Sequence, residues 1–176
     1  PHHHLWDHPE SPYLVPDLLA DLNSGHRVVS TVFVECAAMY RDRGPAELSP
    51  LGETEFVNGA AAMFSSGYYG ATRGCAGIVG FADLLLGEAV APVLDAHLAA
   101  SPRFRGIRHS AAFDPSPAIR QSHSKPPPRL LDEAAFRAGF AQLASRGLSF
   151  DAWLYHPQIP RLTELARAFP STAIVL

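Results

Sequence analysis

Short β-branched runs alternating with longer segments of helical period predict an α/β protein built on parallel strands. The runs are residues 27–36, 75–81, 104–109, 148–155 and 172–176, and the helical candidates between them are 16–22, 53–65, 86–100, 132–143 and 158–169. Successive runs lie roughly 25 to 45 residues apart, the separation that strand–helix–strand crossovers need and tight hairpins do not. No internal repeat or low-complexity linker divides the chain, so residues 1–176 read as a single domain.

The chain opens Pro1-His2-His3-His4-Leu5-Trp6-Asp7. On an extended strand His2 and His4 share one face and His3 points away, and two imidazoles on one face suit a divalent transition metal. A remnant of a purification tag and a solvated polar terminus are the competing readings of the same three residues. The first helix, opening at Pro16, has Gly25 beyond its end as a cap candidate. In the run 27–36, Val28, Ser30, Val32, Val34 and Cys36 alternate with Val29, Thr31, Phe33 and Glu35. The first set is apolar enough to pack under helices, which turns Glu35 toward the open end of the strands. A carboxylate there can orient water, bind a metal or hold a substrate hydroxyl, and an ion pair with an arginine is the structural alternative.

Asp83, after the third run, suits a helix N-cap. In 104–109, Phe104, Gly106 and Arg108 share a face opposite Ile107 and His109, which aims Arg108 at the pocket. A guanidinium there grips a carboxylate or polarises a carbonyl through paired donors. His109 is expected to brace the loop that starts at Ser110, with a substrate contact as the alternative. Residues 110–129 hold Pro115, Pro117 and Pro126-Pro127-Pro128 and are expected to be a long, functional or mobile loop. The acidic start at Leu131-Asp132-Glu133 opens the next helix, and Arg146-Gly147 closes it. In 148–155, Asp151, Trp153 and Tyr155 share a face. Tyr155 is a candidate for a hydrogen bond to substrate, Trp153 for pocket wall or core. His156, before Pro157, suits a structural role at a helix entry.

Composition removes several function classes. The 176 residues are 47% hydrophobic and 18% charged with a formal net charge of −3, and Lys125 is the one lysine, so no basic patch for nucleic acid exists. No apolar stretch approaches the roughly 18 residues of a membrane helix. Cys36 and Cys75 have no metal-ribbon spacing and read as two reduced, mostly buried thiols, which with no visible leader points to the cytoplasm. There is no Gly-x-Gly-x-x-Gly, no phosphate-binding Gly-x-x-x-x-Gly-Lys and no Gly-x-Ser-x-Gly elbow. Two architectures fit the alternation, a doubly wound open sheet and a (β/α) barrel. Length favours the open sheet, because a complete barrel takes roughly 200 residues at the least.

From His2-x-His4-x-Trp6 through Val32-Phe33-Val34-Glu35-Cys36, Gly106-Ile107-Arg108-His109 and Leu148-Ser149-Phe150-Asp151, the chain resembles the lactonase-like branch of the amidohydrolase superfamily. The resemblance covers essentially all 176 residues. It implies a TIM (β/α)8 barrel of which this chain holds about strands 1 to 6, most of the first strand lying before Pro1. It also implies a further active-site histidine and aspartate beyond Leu176, so the 176 residues alone are expected to be inactive. By the same resemblance the parent is a hydrolase of a lactone or similar cyclic ester. His2 and His4 would be catalytic residues or ligands of a divalent metal such as zinc, although some relatives work without metal. Glu35, Arg108, His109 and Tyr155 would contact a small-molecule substrate. A decarboxylase of a neighbouring branch is the enzymatic alternative, and a non-enzymatic open-sheet binding domain is the other. The partial barrel further predicts exposed strand edges and self-association.

Overall fold

The computed structural model describes residues 1–120 and 122–176. They form two compact units, residues 1–80 with 96–104 and residues 81–95 with 105–176. In the first unit strands β1 (His2–His3), β2 (Ser30–Val34) and β3 (Arg73–Gly80) follow one another in parallel, connected by helices α1 (Val15–Leu22) and α2 (Leu51–Ser65). Helix α3 (Ala91–Ala100) comes next in the chain. In the second unit β4 (Phe104–Ile107, from Arg105 onward), β5 (Ser149–Asp151) and β6 (Ile174–Val175) pair in parallel, and α4 (Ala134–Ala144) and α5 (Ile159–Ala168) make the crossovers. The predicted alternation is therefore present, with strands shorter than the apolar runs that announce them.

Local chemistry sets the ends of these elements. Pro16 sits in the first turn of α1, and the Asp17 carboxylate accepts the Leu14 N–H at 2.9 Å, covering one of the donors a helix start leaves open. Val15, Leu18 and Leu22 then fall on one buried stripe. Asp83 caps the 3-10 turn that follows β3, accepting the Leu85 N–H at 2.9 Å. Residue 147 is a glycine because the chain there runs at φ 64°.

The core of the first unit is Leu5, Leu18, Phe33, Val57, Phe64 and Ile78. Phe33 is fully buried whereas Val32 is 38% exposed, so the helix-packed face of β2 is the one carrying Phe33, not the Val28–Val32 face expected from hydropathy. β2 and β3 also slip register between Ser30 and Val32: Ser30 lies opposite Arg73 but Val32 opposite Gly77. The surplus β3 residues include Cys75, held at φ 53°, and the buried Thr31 hydroxyl accepts its N–H at 3.0 Å.

The second unit is centred on aromatic rings. Phe136 and Phe140 of α4 meet Phe150 of β5 at centroid distances of 6.0 and 5.2 Å, and Phe169 joins Phe140 at 5.1 Å. Helix α4 lies directly on the segment after β3. A Cβ on Gly139 would stand 2.3 Å from the Leu84 carbonyl oxygen. Gly139→Ala is expected to destabilise the protein by about 2 kcal/mol, because backbone rather than a flexible side chain must give way. Urea unfolding of the two proteins measures this, and a difference below about 0.5 kcal/mol would show that the 84–90 segment shifts freely. Among the described residues no helix is long and apolar enough to cross a membrane.

Candidate active-site elements

In the first unit β1 enters the sheet through Val32 N–H to Pro1 carbonyl at 3.0 Å, with His2 opposite Val32 and His3 opposite Phe33. Parallel partners in register point the same way, so His3 goes with Phe33 into the packed layer. Its ring meets Phe33 edge-on at 6.0 Å, and its Nε2 lies 3.4 Å from the Cys75 sulfur. Burial first, then the charges of His4, His2 and the amino terminus, push His3 down to about 4, so it is neutral near pH 7. His2 and His4 lie together on the other face, ring centroids 5.6 Å apart.

His4 is the most strongly oriented of the three. Its Nδ1 is 2.6 Å from the Val34 carbonyl oxygen, an acceptor only, so Nδ1 carries a proton, and in the neutral imidazole the lone pair is then on Nε2. Trp6 stacks on the imidazole at 6.0 Å, and His8 stacks on Trp6 at 5.9 Å. The Trp6 indole N–H donates to the Ser11 carbonyl at 2.8 Å, and Trp6 and Tyr13 exchange backbone hydrogen bonds, which fixes the loop after β1. A histidine whose second nitrogen is held by a carbonyl is the form that ligates metals or accepts protons. Two imidazoles make half of a four-coordinate zinc set, and among the described residues no group of three His, Cys, Asp or Glu completes one.

Glu35 is fully buried rather than presented at an open strand end. Its N–H donates to the Val79 carbonyl at 2.8 Å, continuing the β2 ladder by one residue, and it follows the Phe33 face. The structure thus encloses the carboxylate that patterning placed at the open end of the strands. Its carboxylate is close enough to raise the pKa of a second buried acid, Glu53 of α2, which sequence patterning does not single out. Glu53 is 1% exposed, and its Oε1 accepts the N–H groups of Cys36 (3.0 Å) and Ala38 (2.8 Å). Its Oε2 and the Tyr40 hydroxyl are buried with no hydrogen-bond partner. Burial pushes Glu53 up to about 7 against the lowering effect of those two N–H groups. Burial likewise raises Cys36 to about 12, with Glu53 adding, and its thiol donates to the Leu5 carbonyl at 3.3 Å.

Glu53 thus holds the loop after β2 from beneath. That loop contains Ala37 at φ 62° and Met39 at φ 55°, left-handed conformations that cost a residue with a Cβ. It also runs so close to α2 that a Cβ on Gly52 would meet the Met39 carbonyl oxygen at 2.3 Å. The sequence signal was present but ordinary: a glutamate in the first turn of a helix, which usually reads as a dipole partner.

In the second unit Arg108 lies just past β4 with its guanidinium 4.8 Å over the Trp153 ring, the residue two beyond β5. His109 is 3% exposed; its Nδ1 accepts the Leu84 N–H at 3.3 Å, and Phe81 and Phe136 contact its ring edge-on. The same nitrogen lies 3.9 Å from an Asp83 carboxylate oxygen, and His109 braces the Asp83–Leu84 turn. The Tyr155 hydroxyl donates to the Arg120 carbonyl, so this candidate substrate donor holds the 110–120 loop. His156 is exposed at the turn before α5.

A family profile described as amidohydrolase matches residues 1–176. The chain belongs to the amidohydrolase family. The uncharacterized protein y4mH of Sinorhizobium fredii (strain NBRC 101917 / NGR234) is 32% identical over 198 aligned positions, which take in all of this chain and 60% of that protein. Two crystal structures of an amidohydrolase from Burkholderia multivorans, one with bound HEPES and one with bound zinc, superpose with TM-scores of 0.63 at 21% and 22% identity. They cover 98% of this chain and 54% of theirs. The amidohydrolase chain therefore has the fold of those proteins, a partial TIM barrel contributing six strands, and the open-sheet alternative favoured by length is set aside. It spans little more than half the length of these relatives.

Proposed function

We propose that the protein, at the length of its relatives, is a hydrolase that opens a lactone or related cyclic ester. The observation that carries this reading is His4: its Nδ1 proton is fixed by the Val34 carbonyl, which leaves Nε2 as the lone-pair nitrogen of the neutral ring, beside His2 on the same face. That arrangement suits an imidazole that receives a proton from water or ligates a metal. In the proposal His2 and His4 serve the attacking water, and Arg108 serves the charge on the substrate carbonyl or carboxylate. A divalent metal, when bound, would lower the pKa of water toward neutrality. Zinc is the first ion to test, since a structural relative was crystallised with it. The substrate is taken to be a small molecule met in the cytoplasm.

The whole protein should be assayed against sugar lactones and unsaturated lactones by proton release, and against aromatic and dienoic carboxylates by carbon dioxide release. Ring opening with loss of activity in the Arg108→Gln variant is the expected result. Carbon dioxide release without ring opening would replace the lactonase reading by a decarboxylase.

A further inference from the structure

The loop that follows β4 is tied to the segment that follows β5 at several points, and Trp153 is at the centre of them. The Trp153 carbonyl accepts the Ala111 N–H at 2.8 Å and the Ser110 hydroxyl at 3.4 Å. Gln158 bridges the same two stretches, its amide N–H donating to the Phe113 carbonyl and its Oε1 accepting the Tyr155 N–H, both at 2.9 Å. The Tyr155 hydroxyl reaches the Arg120 carbonyl. On this frame the Trp153 ring, 39% exposed, supports the Arg108 guanidinium at 4.8 Å. A core tryptophan would be covered; this one keeps 39% of its surface exposed while a flexible cation lies over its ring.

An arginine side chain carries many rotamers, and one that recognises a carboxylate by a two-pronged fork loses less entropy when its plane is already set. An aromatic face does that without consuming an N–H, because the attraction is between the cation and the ring quadrupole. We propose that Trp153 is a positioning residue that sets the plane of Arg108 and so makes it specific for a carboxylate on the substrate. This rests on the reading of Arg108 as a substrate-binding group given above.

The probe is phthalate, titrated into the chain by calorimetry, with wild type, Trp153→Leu, Trp153→Phe and Arg108→Gln compared. Trp153→Leu is expected to weaken binding about tenfold, Trp153→Phe no more than about threefold because a ring face remains, and Arg108→Gln to abolish it. In the whole protein Trp153→Leu is expected to raise KM for a carboxylate-bearing lactone about tenfold with kcat within about twofold, and to raise KM for a neutral lactone by no more than about threefold. A general loss of folding would damage both substrates alike, and that result overturns the proposal. Phthalate binding by Trp153→Leu at wild-type strength, or equal loss in the leucine and phenylalanine variants, also overturns it. Full binding by Arg108→Gln, or none by wild type, removes the carboxylate reading of Arg108 itself and the positioning role with it.

Discussion

Glu53→Ala is expected to cost about 3 kcal/mol of stability and to release the loop after β2. The magnitude follows from what the carboxylate does: its loss leaves the part-buried Cys36 and Ala38 N–H groups without an acceptor, each costing up to about 1–3 kcal/mol before relaxation and water offset it. Ala37 and Met39, no longer tied down, would leave their left-handed conformations. Hydrogen exchange should accelerate at residues 36–41 far more than in β3. If exchange there is unchanged, the loop is held by its approach to Gly52 and not by Glu53.

The same residue makes stability depend on pH with a definite sign. Glu53 is raised from 4.5 to about 7, so the folded state holds a proton that the unfolded chain has released. Its contribution is therefore complete below pH 4.5 and lost as pH rises to about 7, a change of order 3 kcal/mol at most. The groups facing it are Glu35, Cys36 and Tyr40; Glu35 reinforces the rise, and the thiol and phenol, both pushed up by burial, stay neutral throughout. His3 acts in the opposite sense. It is lowered from 6.5 to about 4, so its contribution is present above pH 6.5 and lost as pH falls toward 4. Wild type is expected to change little between pH 4.5 and 6.5 because the two slopes oppose each other. Glu53→Gln keeps an acceptor for the two N–H groups and removes one slope, so the variant should gain stability as pH rises through this window. Denaturant midpoints at pH 4.5, 5.5 and 6.5 test it, and parallel profiles for the two proteins would exclude Glu53 as a titrating group.

Much of this architecture was legible because periodicity is a strong signal over long segments. Helices α1, α2 and α5 begin and end within two residues of their expected limits, and the period of two placed His2 and His4 on one face with His3 opposite. The face of β2 was not legible. Val28, Ser30, Val32 and Val34 are as apolar as Val29, Thr31 and Phe33, so hydropathy cannot choose between them. The choice is made by the partner strands: His3 lies beside Phe33, and the Cys75 bulge shifts β3 against β2. Glu35 was for that reason expected in the open and is found enclosed, and Glu53 was hidden because nothing local distinguishes a loop anchor from an ordinary first-turn acid. Arg108 and Trp153 were each visible at a strand end, but their contact spans 45 residues of chain and only the fold supplies it.

His4→Ala is expected to lower kcat/KM for ring opening in the whole protein by roughly 100- to 10 000-fold, the range for losing a general base or its equivalent. Alanine removes two things together, the Nδ1–H bond to Val34 and the Nε2 lone pair, so a second variant separates them. His4→Asn retains a side-chain N–H that can reach the Val34 carbonyl but has no lone pair at the Nε2 position. If Nε2 is the working atom, asparagine should fold like wild type and be as inactive as alanine. Activity in the asparagine variant near the wild-type level would instead make His4 a brace between β1 and β2. His3→Phe supplies the contrast: His3 faces Phe33 and Cys75, so the change is expected to alter stability while leaving kcat/KM within about threefold. Elemental analysis of His2→Ala and His4→Ala beside wild type then assigns the metal. Zinc retained at the wild-type ratio in both variants would exclude the pair as ligands and leave them as groups that act on water or substrate directly.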